Sequence, residues 1–174
     1  ADCEDETVCR VQAEAGARGV IHSHVAGSGP LRSPGLSDLV EAAREADLYT
    51  EISTSAVTAD RNKFEALKEA GLDSIQISLL DSNSEGNDLI AGTPSFDQKC
   101  NAIALAKDLG FPVTPNAVLH RPNLDRMREP PDTPCDWGVE RIDPAPLHYA
   151  DWAYKHPAHL LATLTPPPRP QLLP

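Results

Sequence analysis

The sequence predicts an α/β fold in which parallel strands form an open or partial barrel. A repeated pattern supports this: a helix-like stretch ends, usually at a glycine, and a short β-rich run begins within three residues. The length argues against a closed eight-unit barrel, because the chain has 174 residues and that fold needs roughly 250. Strands are predicted near residues 20–25, 48–53, 73–79, 111–119 and 139–143.

Three helical patterns separate these strands. The first opens at Pro34, because proline suits the first turn of a helix, and the second ends before Gly71. The third opens near Pro94 and ends at Gly110. Their predicted apolar faces comprise Leu36, Leu39, Val40, Ala43, Phe64, Leu67, Ala70, Phe96, Cys100, Ile103 and Leu109. Helices between strands imply βαβ crossovers, so functional residues are expected after the carboxyl ends of the strands.

The prolines divide the chain unevenly. Of 17 prolines, three precede position 100 and fourteen follow position 110. Pro130, Pro131 and Pro134 interrupt the helix expected after the fourth strand, so at most residues 124–129 are helical there. We predict a partial barrel over residues 1–160 and a Pro-rich disordered tail over residues 161–174.

Charge and hydropathy exclude several classes of binding partner. The net charge of -11 argues against nucleic acid and against an anionic membrane. No apolar run approaches the roughly 18 residues of a membrane helix, and the acidic N-terminus does not resemble a signal peptide. We therefore expect a cytoplasmic protein that binds small molecules or proteins and keeps its four cysteines reduced.

Histidines suggest one candidate site. His22 and His24 end the first predicted strand and, being two residues apart, point to the same side. Two such histidines with His120 or Asp81 would match a zinc-dependent barrel hydrolase, in which the metal activates water. The alternative is structural: His22 packs in the sheet and His24 bonds a loop.

A glycine-containing loop suggests another candidate site. Residues 27–30 read Gly-Ser-Gly-Pro directly after the first strand, and glycines let the backbone approach a ligand closely. The loop leads toward a helix whose free N–H groups suit an anion or carboxylate. An ordinary strand-to-helix turn is the alternative.

Hydroxyl and amide side chains follow the next strands. Residues 53–55 read Ser-Thr-Ser at the end of the second strand, Ser78 ends the third, and Asn116 lies within the fourth. Such groups suit hydrogen bonding to a polar cofactor. Ordinary capping and loop contacts explain them equally well.

Four collinear stretches between residues 8 and 160 carry a family resemblance. They are VQAEAGARGVIHSHVAGSGPLRSPGLSDLVEAAREADLYTEISTSAV, EALKEAGLDSIQISLLDSNSEGNDLIAGTPSFDQK, LGFPVTPNAVLHRPNLDR and HYADWA. The sequence resembles the radical S-adenosylmethionine (radical SAM) enzymes, most closely the peptide cyclases of pyrroloquinoline quinone (PQQ) biosynthesis.

The resemblance implies an oxidoreductase with a partial (βα)6 barrel of the radical SAM type, with about five βα units in this chain. Its cofactors would be SAM and a [4Fe–4S] cluster with one open iron, which together yield a 5′-deoxyadenosyl radical. In these cyclases the radical starts a bond between Glu and Tyr side chains of a precursor peptide, PqqA, presented by the chaperone PqqD.

The resemblance also implies which residues bind SAM. The family's Gly-Gly-Glu-Pro motif, which receives the SAM amino group, falls on residues 27–30, and its Thr-Ser-Gly motif falls on residues 54–56. The implied SAM-binding residues are Gly27, Ser28, Gly29, Pro30, Ser55, Ser78 and Asn116.

Three departures from the family accompany the match. The C-x3-C-x2-C cluster motif is absent, Gly29 replaces the motif's Glu, and Leu89 replaces an Arg expected to face the SAM carboxylate. Three thiolates are needed to hold the cluster while one iron stays open. We therefore expect a truncated or diverged copy, beginning after the family's first strand and holding no metal of its own. Besides the zinc-dependent hydrolase, a non-catalytic remnant that serves binding or scaffolding is the alternative.

Overall fold

The computed structural model describes residues 5–27, 29–121, 123–126 and 142–146 of the chain. The strands are β1 His22–Val25, β2 Tyr49–Thr54, β3 Ser74–Ser78, β4 Val113–Leu119 and β5 Asp143–Pro146. The α-helices are α1 Asp5–Ala17, α2 Leu36–Glu45, α3 Arg61–Ala70, α4 Ser84–Ala91 and α5 Phe96–Asp108, and a short 3-10 turn spans Pro30–Arg32.

The five strands form one sheet in sequence order, and every neighbouring pair is parallel. A doubly wound sheet would reverse its strand order at a switch point. The unreversed order places successive crossover helices on one face, which is the winding of a barrel. The predicted α/β partial barrel is therefore confirmed, as a five-stranded half-barrel.

The first four strands lie within two residues of their predicted ends. The fifth is displaced, because it begins at Asp143, where its prediction ended, and runs through Pro144 to Pro146. The sequence pattern did not predict a strand over 143–146, because proline is disfavoured in strands. Prolines are tolerated in β5 because it lies at the edge of the described sheet, where a missing backbone N–H costs few hydrogen bonds to a neighbouring strand. Residues 139–141 lie outside the described residues.

The helices cover one face of the sheet with the predicted apolar residues. On α2 the buried residues are Leu36, Leu39, Val40 and Ala43, as expected. Phe64 and Leu67 of α3 are buried, and Gly71 caps that helix with a left-handed φ of 100°. Two helices start later than predicted: α2 begins after Gly35, and α5 begins after Ser95. The core between helices and sheet includes Val40, Ile52, Phe64, Leu67, Ile75, Ile77, Ile103 and Phe111.

The opposite, concave face of the sheet is polar. On β2, Thr50, Ile52 and Thr54 are buried, whereas the intervening Glu51 and Ser53 are half-buried, as alternation along a strand requires. Residues paired across the ladder share a face, which extends this polar surface over all five strands. The concave face carries His22, His24, Tyr49, Glu51, Ser53, Gln76, Ser78, Thr114, Asn116 and Asp143.

The predictions about a membrane helix, the segment after β4 and the Pro-rich tail can be compared with the described residues only in part. Within the described ranges, no helix is both long and apolar enough to cross a bilayer. Residues 123–126 form a turn after β4, and the rest of the short helix predicted over 124–129 lies outside the described residues. The boundary near residue 160 and the tail 161–174 also lie outside them.

Candidate functional site

A pocket of about 360 Å³ lies where β1, β2 and β3 end. Its lining residues are Ala26, Gly27, Gly29, Ser53, Thr54, Ser55 and Ser78. The structure thus brings together four of the residues predicted to bind SAM: Gly27, Gly29, Ser55 and Ser78. The pocket occupies the carboxyl edge of the parallel sheet, the edge at which barrel folds place their ligands.

The loop after β1 exposes its backbone to this pocket. Gly27 and Gly29 have φ angles of 153° and 135°, which residues with a Cβ rarely adopt. A Cβ on Gly27 would meet no atom within 4 Å, so the space beside its backbone is open. Pro30 does not line the pocket; it is buried and begins the 3-10 turn, in which Arg32 N–H donates to Gly29 O at 2.9 Å. Ser28 lies outside the described residues.

The hydroxyls of the pocket have two kinds of role. Thr54 Oγ1 accepts the N–H of Ala56 at 3.0 Å, and Ser53 Oγ donates to Gln76 Oε1 at 2.8 Å. For these two side chains the structural interpretation, capping and loop contacts, is sufficient. Ser55 is exposed and Ser78 half-buried, and within the described part of the chain neither hydroxyl makes a side-chain hydrogen bond. Their donors and acceptors are therefore open to a ligand.

Asn116 lies next to the pocket without lining it. It is half-buried on β4, paired with Ser78 across the ladder and with Asp143 of β5. On the same face, Gln76 Nε2 donates to Asp143 Oδ2 at 3.5 Å. The polar surface that begins at Ser78 therefore continues across the concave face.

Asp81, a residue proposed as a metal ligand, is an ion-pair partner instead. It is fully buried, and both of its oxygens accept from Arg126 Nε, at 2.9 and 3.0 Å. Hydrogen bonding to Asp81 raises the pKa of Arg126 above its ordinary value. A Cβ on Gly86 would clash with the Asp81 carboxylate, so glycine is required where α4 passes it. Asp81 thus ties the loop after β3 to the turn after β4.

The zinc interpretation is not supported. The rings of His22 and His24 are 6.4 Å apart, and His22 Nε2 lies 3.7 Å from Glu51 Oε2. His120 is buried at the end of β4, where burial lowers its pKa and its Nδ1 has no hydrogen-bond partner. Among the described residues, no three His, Cys, Asp or Glu side chains come together as metal ligands.

The cysteines that the structure describes do not form a cluster site. Cys9 lies half-buried on α1 as a free thiol. Cys100 packs against Leu79 and Phe96, as its predicted core position requires, but it is disulfide-bonded, so the expectation of reduced cysteines is wrong there. Cys3 and Cys135 lie outside the described residues. Among the described residues, the cysteines therefore do not fit a [4Fe–4S] cluster, whereas the open backbone of Gly27 and the free hydroxyls fit the polar groups of SAM.

Comparison with known proteins decides the family. A sequence model of the radical SAM superfamily matches residues 5–129. The chain belongs to the radical SAM superfamily. Among curated members, a PqqA peptide cyclase of Ruegeria pomeroyi is 35% identical over 161 residues, which are 92% of this chain and 43% of that protein. One from Streptomyces rochei is also 35% identical, over 92% of this chain and 44% of that protein. The chain spans less than half the length of these curated relatives.

Solved structures of other proteins share the fold. Streptococcus suis SuiB bound to S-adenosylmethionine superposes with a TM-score of 0.74 at 20% identity, covering 87% of this chain and 36% of SuiB. SuiB bound to its precursor peptide SuiA gives 0.73 at 20% identity, over 86% and 34%. Escherichia coli coproporphyrinogen III oxidase, a radical SAM enzyme, gives 0.64 at 13% identity, over 97% and 43%. At these identities the likeness supports the half-barrel fold.

Proposed function

We propose that this chain is the SAM-binding half-barrel of a PqqA peptide cyclase, the radical SAM enzyme of PQQ biosynthesis that joins a Glu and a Tyr side chain of its precursor peptide. The pocket carries the proposal, because the open backbone of Gly27, the neighbouring Gly29 and two free hydroxyls meet at the ends of three parallel strands. The 35% identity to PqqA peptide cyclases supports this choice among radical SAM activities.

The glycine loop would hold the methionine end of SAM. Gly27 presents its backbone polar atoms with no atom within 4 Å of the place a Cβ would take, Gly29 lines the pocket beside the Arg32 side chain, and buried Pro30 begins the turn that follows. Ser28 belongs to the same loop by sequence. Ser55 and Ser78 would hydrogen-bond other polar groups of SAM, and Asn116 would extend this contact toward the concave face.

Gly29 makes this a weaker SAM site than one carrying the motif's Glu. A hydrogen bond to a charged group is worth about 1.5–3 kcal/mol, roughly 10- to 150-fold in affinity. A neutral backbone supplies less than a carboxylate to the SAM ammonium. We therefore expect SAM to bind this chain in the micromolar to millimolar range.

The concave face would receive the peptide. Its side chains are imidazoles on β1 and amides, hydroxyls and carboxylates on the other four strands, which suits hydrogen bonding to an extended polar chain. Gly27, Gly29, Ser55 and Ser78 would hold SAM, which would supply the hydrogen-abstracting chemistry of the reaction. The chain's own residues would bind and orient SAM and peptide; its cysteines, as described, do not supply the cluster. PqqD as the presenting chaperone and a cytoplasmic location belong to the same proposal.

Calorimetric titration with SAM tests the proposal. Ser55→Ala and Ser78→Ala should each weaken binding about fivefold, since a neutral hydrogen bond contributes about 1 kcal/mol. The control is Ser84→Ala, which removes the same hydroxyl from an exposed position on α4 outside the pocket. No binding at millimolar SAM, or equal effects of all three substitutions, would overturn the proposal.

A further inference from the structure

Two buried asparagines hold both backbone polar atoms of Leu80, the second residue after β3. Asn87 Oδ1 accepts the Leu80 N–H at 3.2 Å, and Asn123 Nδ2 donates to Leu80 O at 2.8 Å. Both asparagine side chains are fully buried. At Leu80 the backbone is therefore held by side chains and not by a neighbouring strand.

Asn123 bridges β3 and β4 where their ladder stops. The last paired residues of β3 and β4 are Ser78 and Asn116. One further backbone hydrogen bond follows, from the Leu79 N–H to Asn116 O at 2.8 Å. Beyond it, the Asn123 amide donates its second N–H to Val118 O at 2.8 Å. The Asn123 amide thus donates to the carbonyl of Leu80, just beyond β3, and to the carbonyl of Val118 on β4. Its own oxygen accepts the His120 N–H at 2.8 Å, so the amide has one possible orientation.

Asn87 is oriented just as firmly. Its Oδ1 also accepts from Lys99 Nζ at 3.1 Å, and lysine has only donors. Its Nδ2 donates to Asp88 Oδ1 at 2.8 Å and to Ser95 Oγ at 3.1 Å. Lys99 is 3% exposed and Ser95 equally buried, so water does not compete for these bonds.

We propose that Asn87 and Asn123 form a clamp on Leu80 that positions Ser78 in the pocket. Neither asparagine lines the pocket, so both are positioning residues. Ser78 is the last residue of β3 and lies two positions before Leu80, so a shift of the backbone at Leu80 moves the Ser78 hydroxyl. The effect of the clamp on SAM affinity rests on the proposed function.

A double-mutant cycle tests the coupling to Ser78. In the wild-type background, Asn123→Ala should weaken SAM binding by up to about fivefold, the loss expected from removing the Ser78 hydroxyl itself, measured by calorimetry. In the Ser78→Ala background the same substitution should weaken it less than about twofold, because the hydroxyl it positions is gone. The control Asn101→Ala, at an exposed position on α5, should change neither value. Equal factors for Asn123→Ala in both backgrounds would overturn the proposal.

Hydrogen exchange without ligand tests the clamp independently of SAM. In Asn87→Ala, which keeps the Asn123 bridge, the Leu80 amide should exchange at least about tenfold faster than in wild type, while amides of α3 keep their rates. Unchanged Leu80 exchange in a folded variant would overturn the clamp. Wild-type protein that binds no SAM but shows this local change would refute the proposed function and the coupling to affinity, leaving the clamp itself supported.

Discussion

Removing the guanidinium of Arg126 should destabilise the fold strongly, because its partner Asp81 is a carboxylate with no exposed surface. Arg126→Met keeps much of the side-chain volume and deletes the hydrogen bonds from Nε to both Asp81 oxygens. Breaking a buried ion pair from one side costs about 3–5 kcal/mol, since the remaining charge is left uncompensated. Two features favour the lower end: the Arg126 side chain is 43% exposed, and Ser82 N–H still donates to Asp81 at 2.7 Å.

Urea unfolding followed by circular dichroism measures this loss. We expect Arg126→Met to lower the free energy of unfolding by about 3 kcal/mol, a large share of the 5–15 kcal/mol of an ordinary domain. The matched control is Arg61→Met, which removes an ion pair with Asp108 whose side chains are 52% and 64% exposed, and it should have little effect. If the two variants lost equal stability, the buried pair would not be what holds the two loops together.

Three further predictions follow from buried groups and from the cysteines. Burial lowers the pKa of His120, so the stability its neutral ring contributes is complete above the ordinary value of 6.5 and lost as pH falls below it. Between pH 7 and 5.5, wild type should therefore lose more stability than His120→Asn, and parallel losses in urea titrations would contradict this. Gly86→Ala should cost about 1–3 kcal/mol, because the added methyl meets Asp81, and an unchanged melting temperature would refute the clash. Anaerobic reconstitution with iron and sulfide should give no stoichiometric [4Fe–4S] absorption, since the sequence lacks C-x3-C-x2-C, whereas a stable cluster would show that other thiolates suffice.

Local patterns in the sequence predicted most of the half-barrel. The apolar face of α2 and the left-handed cap at Gly71 depend on residues three or four positions apart, so their spacing is visible without a structure. The pocket was predictable for a similar reason, because the carboxyl ends of parallel strands share one edge of the sheet. That rule placed Gly27, Ser55 and Ser78 near one another before their coordinates were known.

The polar contacts behind the pocket were not predictable in this way. Asp81 and Arg126 are 45 positions apart, and Asn123 reaches Leu80 across 43 positions. No spacing rule links such partners, so the sequence alone leaves Asp81 open to interpretation as a metal ligand, whereas in the structure it pairs with the Arg126 guanidinium. The nearest signal in the sequence is Asn123 itself, an amide four residues after a predicted strand end, a place where buried carbonyls need donors.

Hydrogen exchange with and without SAM tests the central claim most directly, because it shows where the ligand lies. If the pocket at the ends of β1, β2 and β3 binds SAM, saturating SAM should slow exchange in segments 23–30, 53–57 and 77–81. Segments of α3, on the far side of the sheet, should keep their rates. Protection confined to α3 or to other surface elements, or no protection at a SAM concentration that gives calorimetric saturation, would contradict the account.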